Sequence, residues 1–272
     1  SVSTHIGKVR GNHEDNFYLE GLRLNEIFRN DFSATYTISD ADGMSFAVFD
    51  GMGGAAYGEI ASEIAVQTMK KYERRLKNAE GMRAVDQIVT EFVTEANNSI
   101  CDMLREKNCL SGGTTFAMLY FIDGLAKLYY LGDSRIYMQD EEDLICLTRD
   151  HTLANQKLDA GIYTEAQAKK SADQHRLTLY VGVDKNGLGL NADSRPPVAL
   201  QPGRKFLLCT DGLVDMCSEQ EIQDILSQDY FNEAAVLVQT AVNYGGIDNV
   251  TCIVLEVIPI EESAELESDP ML

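Results

Sequence analysis

Three acidic residues in this chain sit where short apolar strands end or begin. Phe46-Ala47-Val48-Phe49 runs into Asp50-Gly51, and Phe206-Leu207-Leu208-Cys209-Thr210 runs into Asp211-Gly212. Asp248-Asn249 precedes Val250-Thr251-Cys252-Ile253-Val254-Leu255. A carboxylate at the tip of a buried strand is rigidly aimed, and a following glycine lets the backbone turn sharply without a Cβ clash. Several such tips brought together make an all-oxygen cage, which suits a hard divalent cation such as Mg²⁺ or Mn²⁺. Three more clusters accompany them. Arg10-Gly11-Asn12-His13-Glu14-Asp15-Asn16 packs a guanidinium and two carboxylates together, Leu131-Gly132-Asp133-Ser134-Arg135 interrupts a strand, and Thr148-Arg149-Asp150-His151 closes the next one. Singly, each reads as a turn, a strand-edge charge or a capped loop; the ordinary reading of Arg10 is a surface salt bridge with Glu14 or Asp15.

The elements that must position these groups can be read from periodicity. Apolar positions Ile60, Ile64, Ala65, Met69, Tyr72 and Leu76 mark one amphipathic helix, and Val85, Ile88, Val89, Phe92, Ala96, Ile100 and Leu104 a second. Thr114 to Ile122 and Leu125 to Ile136 form a hairpin closed by Asp123-Gly124, a favoured two-residue turn. Leu144 to Leu147 is a further strand. Ser218 with Glu221 is a capping box opening a helix, and another helix around Glu233 to Tyr244 stops at Gly245-Gly246. The stretch from Gly21 to Gly43 is polar and irregular. Strands and helices come in separate runs rather than in βαβ alternation, which favours antiparallel sheets with helices packed outside, an α+β domain. One domain is expected over residues 1–260. It carries an insertion at about 152–197 that lacks clear periodicity, with one or two short helices, and an acidic tail, 261–272, expected to be disordered.

Composition excludes several classes. With 43 acidic and 23 basic residues the formal charge is −20, the wrong sign for nucleic acid or an anionic membrane as partner. The six cysteines, at 101, 109, 146, 209, 217 and 252, show no CxxC spacing and lie partly in apolar strand patterns, so a reducing, cytoplasmic setting is expected. No apolar run approaches the ~20 residues of a membrane span. Four histidines without an HExxH pattern argue against a zinc hydrolase and leave His151 and His175 with structural hydrogen bonding as their expected role.

Taken in order, seven segments resemble the metal-dependent protein phosphatases of type 2C, particularly compact bacterial members. They are Arg10…Glu14-Asp15-Asn16, Asp50-Gly51-Met52-Gly53-Gly54, Gly112-Gly113-Thr114-Thr115, Gly132-Asp133-Ser134-Arg135, Asp150-His151, Cys209-Thr210-Asp211-Gly212-Leu213 and Asp248-Asn249-Val250-Thr251. The resemblance implies a sandwich of two antiparallel β-sheets flanked by α-helices, with two Mn²⁺ or Mg²⁺ ions at one end and a possible third. It implies that Asp50 bridges the two ions, that the Gly51 carbonyl ligates one, and that Asp211 and Asp248 complete the other. Glu14 and Asp15 would hold metal-bound waters or ligate at longer range, Asp133 with Asp211 would form the weaker third site, and Arg10 would bind the substrate phosphate.

The implied chemistry is hydrolysis of phosphoserine and phosphothreonine in proteins, the targets of a Ser/Thr kinase, by a monomer needing no nucleophilic side chain. Two cations ~4 Å apart lower the pKa of a water between them and place the resulting hydroxide in line with phosphorus. A guanidinium offers paired N–H donors to phosphate oxygens. The chain departs from the family at Met52, where many eukaryotic relatives have a histidine proposed as general acid, at His13, often Asn, and at Leu179, often Arg or Gln. The alternatives are an inactive phosphoprotein-binding relative, which would tend to lose one of the acids, and a small-molecule phosphohydrolase using the same site.

Overall fold

The computed structural model describes residues 1–19, 22–23, 31–53, 57–109, 111–140, 143–183 and 189–259. The expected tail at 261–272 lies outside the described residues, as do parts of the Gly21–Gly43 stretch and of the 152–197 insertion. In chain order the elements begin with β1 (Val2–His5), β2 (Asp15–Leu19), β3 (Leu22–Arg23), β4 (Asp31–Ala34), β5 (Ser45–Met52), α1 (Tyr57–Lys77) and α2 (Met82–Glu106). Next come β6 (Gly113–Thr114), β7 (Phe116–Ile122), β8 (Leu125–Leu131), β9 (Arg135–Asp140) and β10 (Asp143–Cys146). Two short helices, α3 (Leu153–Asp159) and α4 (Glu165–Ala168), are followed by a 3₁₀ turn at Ala172–His175 and the two-residue strands β11 (Asp193–Ser194) and β12 (Val198–Ala199). The chain ends in β13 (Lys205–Cys209), α5 (Asp211–Val214), α6 (Glu219–Leu226), α7 (Glu233–Asn243) and β14 (Val250–Glu256).

The strands form two sheets. One has the order β10-β9-β13-β14-β1-β4; the other runs β11-β8-β7-β5-β2-β3, with β12 on β8 and β6 on β5. Every pairing is antiparallel. Alternation along the strands explains the layers, because successive side chains point to opposite faces. In β5, Phe46 and Val48 enter the core between the sheets with Phe17, Leu119, Phe206 and Ile253, while Ala47 and Phe49 face α1 and α2 with Met69, Phe92 and Phe116. In the other sheet, Phe206 and Leu208 point inward, and Leu207 and Cys209 meet α6 and α7 through Ile222, Leu237 and Ala241. Each sheet is therefore covered on both faces. That is why its strands read as nearly continuous apolar runs although their pairing is antiparallel. The arrangement is the helix–sheet–sheet–helix sandwich expected.

Local signals held where they were specific. Asp123 and Gly124 both take left-handed φ, 52° and 71°, which a two-residue hairpin turn of this hand requires. Ser218 and Glu221 make the reciprocal capping box, and α7 ends before Gly245 and Gly246, both at positive φ. Three expectations change. The strand expected to run through Ile136 breaks at Gly132-Asp133-Ser134, and β8 and β9 belong to different sheets. Gly132 takes φ 102°, and a Cβ there would lie 2.7 Å from the Thr115 methyl, so the chain can change sheets only at glycine. The irregular Gly21–Gly43 stretch contains β4, a sheet-edge strand on β1. The insertion holds the short helices expected, two of them, and more order besides: a 3₁₀ turn and one strand fragment, β11, that pairs with β8.

Candidate metal centre

The strand tips converge at one end of the sandwich. Asp50, on β5, is register partner to Asp15 at the start of β2, and its backbone is held from both sides. Its N–H donates to Thr115 Oγ1 at 2.8 Å, and its carbonyl accepts from Thr115 N–H at 2.8 Å and Thr114 Oγ1 at 3.0 Å. Thr115 Oγ1 lies 2.6 Å from Ser134 Oγ, so the Gly-Gly-Thr-Thr and Gly-Asp-Ser-Arg segments are one clamp on Asp50. Asp211 opens α5 directly after β13, and Asp248 precedes the neighbouring strand β14. Asn249 ties the Arg10–Glu14 loop to that strand. Its Oδ1 accepts from Glu14 N–H at 2.7 Å, and its Nδ2 donates to the carbonyls of Ile6 and Asn12 at 2.8 and 3.0 Å.

The glycines after Asp50 and Asp211 do a different job from the one expected. Neither takes a left-handed φ: Gly51 continues β5, and Gly212 lies in the first turn of α5. A Cβ on Gly212 would lie 1.9 Å from the Asn249 carbonyl oxygen, and one on Gly51 2.1 Å from that of Gly58. What glycine supplies here is room for two backbones to touch, which draws Asp211 toward Asp248 and α1 toward Asp50.

Of the eight residues expected at the site, seven line one cavity of about 470 Å³: Arg10, Glu14, Asp50, Gly51, Asp133, Asp211 and Asp248. Asp15 does not. It is buried behind the cavity, where its Oδ2 accepts from Thr210 Oγ1 at 2.8 Å and Thr251 Oγ1 at 2.7 Å, fastening β2 to the opposite sheet. Arg10 pairs with neither Glu14 nor Asp15; its Nη2 lies 2.5 Å from Asp248 Oδ2, with its side chain 52% exposed. Arg135 and Asp150 form a paired-fork contact, Nε to Oδ1 at 3.0 Å and Nη2 to Oδ2 at 2.8 Å, and so serve the scaffold. His151 accepts from Gly132 N–H and stacks on Tyr130, the structural role expected of it. His175 and Asp215, by contrast, belong to the site. His175 lines the cavity, and Asp215 stands one helical turn after Asp211. Neither lies in a segment that carries the resemblance, so only the fold brings them into view.

The cavity holds more negative charge than its surroundings balance. Burial pushes the Asp50 and Asp133 carboxyls well above the usual range, reinforced in both by Asp211. Asp211 is raised to about 6 by burial, then by Asp215 and Asp248. Asp15 is raised to about 8 by burial, against the pull of its two threonine donors. Glu14 is raised by burial and partly restored by Arg10. Among the described residues, Asp211 Oδ1 and Asp15 Oδ1 are buried without a hydrogen-bond partner. An unpartnered carboxylate oxygen in a cluster of acids that repel one another is the donor set a divalent cation satisfies. The residues fit such ions.

A family model described as protein phosphatase 2C matches residues 23–242. Protein phosphatase PhpP of Streptococcus pneumoniae is 29% identical over 269 residues, covering 97% of this chain and 99% of PhpP. The solved catalytic domain of serine threonine protein phosphatase PstP, in complex with 2 manganese ions, is 26% identical with a TM-score of 0.72, covering 95% of this chain and 97% of that one. The serine/threonine phosphatase of S. agalactiae has a TM-score of 0.78 at 23% identity, covering 95% and 99%, a likeness of fold.

Proposed function

The chain belongs to the protein phosphatase 2C family, and from that premise we propose that its acid-lined cavity hydrolyses phosphoserine and phosphothreonine in proteins with divalent cations. The observation that carries the reading is the buried, unpartnered Asp211 Oδ1 among carboxyls that raise one another. Bound there, Mn²⁺ or Mg²⁺ supplies activation of a water molecule near neutral pH and neutralises charge on the phosphoryl group. Asp50, Asp211, Asp248 and the Gly51 carbonyl are read as the residues that hold two such ions, with Glu14 and Asp133 at their margins. Asp15, behind the cavity, keeps Asp50's strand against the sheet that carries Asp211. An inactive binding relative would be expected to lack an acid of this set, and all are present.

Residues 152–197 are read as a flap on a single domain spanning 1–260. The segment is anchored by isolated bridges from Thr152 to Leu177 and from Thr114 to Val181, and it places His175 and Leu177 in the cavity wall. Six unbridged thiols support a reducing, cytoplasmic location. Among the described residues no helix is long and apolar enough to cross a membrane. The substrates are read as products of a Ser/Thr kinase, and the working unit as a monomer. In Mn²⁺, phosphothreonine and phosphoserine peptides should be hydrolysed and phosphotyrosine peptides should not, and shortening the flap should alter peptide rates more than the rate on p-nitrophenyl phosphate. Preference for phosphotyrosine or for a small phosphate ester alone would overturn the substrate reading.

Arg10 is read as the phosphate-gripping residue at the cavity rim. Its partner there is a proposed cation-holding acid, and its half-exposed side chain lines the cavity. If it contacts non-reacting phosphate oxygens equally before and during reaction, Arg10→Ala raises KM more than it lowers kcat. A charge-assisted contact is worth roughly 1.5–3 kcal/mol, so kcat/KM should fall by roughly ten- to a hundred-fold. Steady-state kinetics with both constants unchanged would return Arg10 to a simple rim salt bridge.

A further inference from the structure

Two loops lie side by side along one edge of the cavity. Lys8 N–H donates to the Gly246 carbonyl at 2.7 Å, and Arg10 Nη2 meets Asp248 Oδ2 at 2.5 Å. Val9 and Ile247 each stand between these two ties, one on each loop and at the same level. The loops touch closely: a Cβ on Gly7 would lie 2.3 Å from the Asp248 carbonyl oxygen and 2.8 Å from that of Gly246. Both side chains are nonetheless open to solvent, Val9 69% exposed and Ile247 49%. Beside Ile247 is Met216, partly buried against the core beneath α6 and α7. Gly245 places no side chain between them: a Cβ there would lie 3.5 Å from Met216 Sδ and 3.7 Å from Ile247 Cγ2. Val9 and Ile247 do not line the cavity, but their chain neighbours Arg10 and Asp248 do. A single exposed apolar side chain is ordinary, whereas several on adjoining segments beside a substrate cavity mark a contact surface.

We propose that Val9 and Ile247, backed by Met216, form an apolar lip that takes the side chain adjoining the phosphoresidue, so that the site favours peptides with a large aliphatic residue there. The inference rests on the phosphoprotein reading and deepens it. A peptide whose phosphoryl group is held at Arg10 must leave the cavity over its rim. An extended chain advances only ~3.3 Å per residue, so the next side chain is within reach of residues one position from Arg10 and Asp248. Charge favours an occupant held in this way. A phosphopeptide is an anion and the chain carries a formal charge of −20, so long-range attraction does not bring the two together. Burying an aliphatic side chain against Val9 and Ile247 supplies binding that does not depend on charge.

The test compares the full wild-type chain with Val9→Thr and Ile247→Thr, which keep the β-branching and make the lip polar. In Mn²⁺, kcat/KM is measured for phosphothreonine peptides with Leu or Ala on either side of the phosphoresidue, and for p-nitrophenyl phosphate; light scattering follows self-association. The wild type should favour Leu over Ala on one side by roughly three- to ten-fold. That ratio should fall toward one in both variants, with rates on the Ala peptides and on p-nitrophenyl phosphate unchanged. Equal use of Leu and Ala peptides by the wild type, or a preference that survives in both variants, would overturn the inference and leave the phosphoprotein reading standing. Equal losses on every substrate would assign the two residues to the cavity frame and overturn it as well. Self-association lost in Ile247→Thr, with peptide preference unchanged, would assign the lip to a second copy of the chain instead. Turnover of p-nitrophenyl phosphate without any peptide hydrolysis would overturn the phosphoprotein reading, and the inference with it.

Discussion

Asp211→Asn should abolish turnover while leaving the metal-free protein at least as stable as the wild type. Asp211 is the acid most central to the cluster: it raises Asp50 and Asp133 and is itself raised by Asp215 and Asp248. An amide keeps the shape of the side chain and removes a charge that holds cations. Losing a cation that activates water should cost several kcal/mol in the barrier, and roughly 4 kcal/mol corresponds to about a thousand-fold in kcat. The same change relieves repulsion in the metal-free state, so the melting temperature without metal should hold or rise. Calorimetry and peptide kinetics on one preparation decide the matter. A near-normal kcat contradicts the role of Asp211, and a large fall in metal-free Tm contradicts the electrostatic account.

The second expectation concerns pH. In the metal-free fold Asp211 titrates near 6 and Asp15 near 8, with Asp50 and Asp133 also raised, whereas an unfolded aspartate titrates near ~3.9. Between those values the folded chain binds more protons than the unfolded one. Stability from these groups is thus fully present below about pH 4 and is lost as pH rises toward about 8. His13 acts in the opposite sense. Burial lowers it to about 3, so its contribution is lost as pH falls from about 6.5. His13 should act similarly with and without metal, so the difference between the two forms isolates the acids. Saturating Mn²⁺ should raise Tm little at pH 5, where protons compete for the ligands, and by on the order of 5–10 °C at pH 8. A shift that is flat across this range, or that shrinks as pH rises, would sink the explanation.

How much of this was legible before folding varies by residue. The convergence of Asp50, Asp211 and Asp248 was readable because each acid abuts an apolar strand whose end is fixed by the core. The sandwich was readable because helices and strands come in separate runs. The local cause of the Asp-Gly pairs is not legible: a backbone touching another backbone 2.1 or 1.9 Å from a hypothetical Cβ leaves no trace in one sequence, whereas a turn does. Asp15 could not be set behind the cavity from its neighbour Glu14, since only the pairing of β2 with β5 and the threonines of the opposite sheet settle which of the two is buried. His175 was invisible for a similar reason. It sits in the aperiodic insertion, and its nearness to Asp215 depends on how that segment folds back over the cavity.

The central claim is that this cavity acts through divalent cations held by its acids. The most direct test strips the protein with chelator and titrates it with Mn²⁺, following bound metal and phosphothreonine-peptide hydrolysis on the same samples. The account predicts no hydrolysis without bound metal, activity that rises as a pair of ions per chain is bound, and replacement of Mn²⁺ by Mg²⁺. Undiminished hydrolysis in excess chelator, with no metal bound, would contradict it.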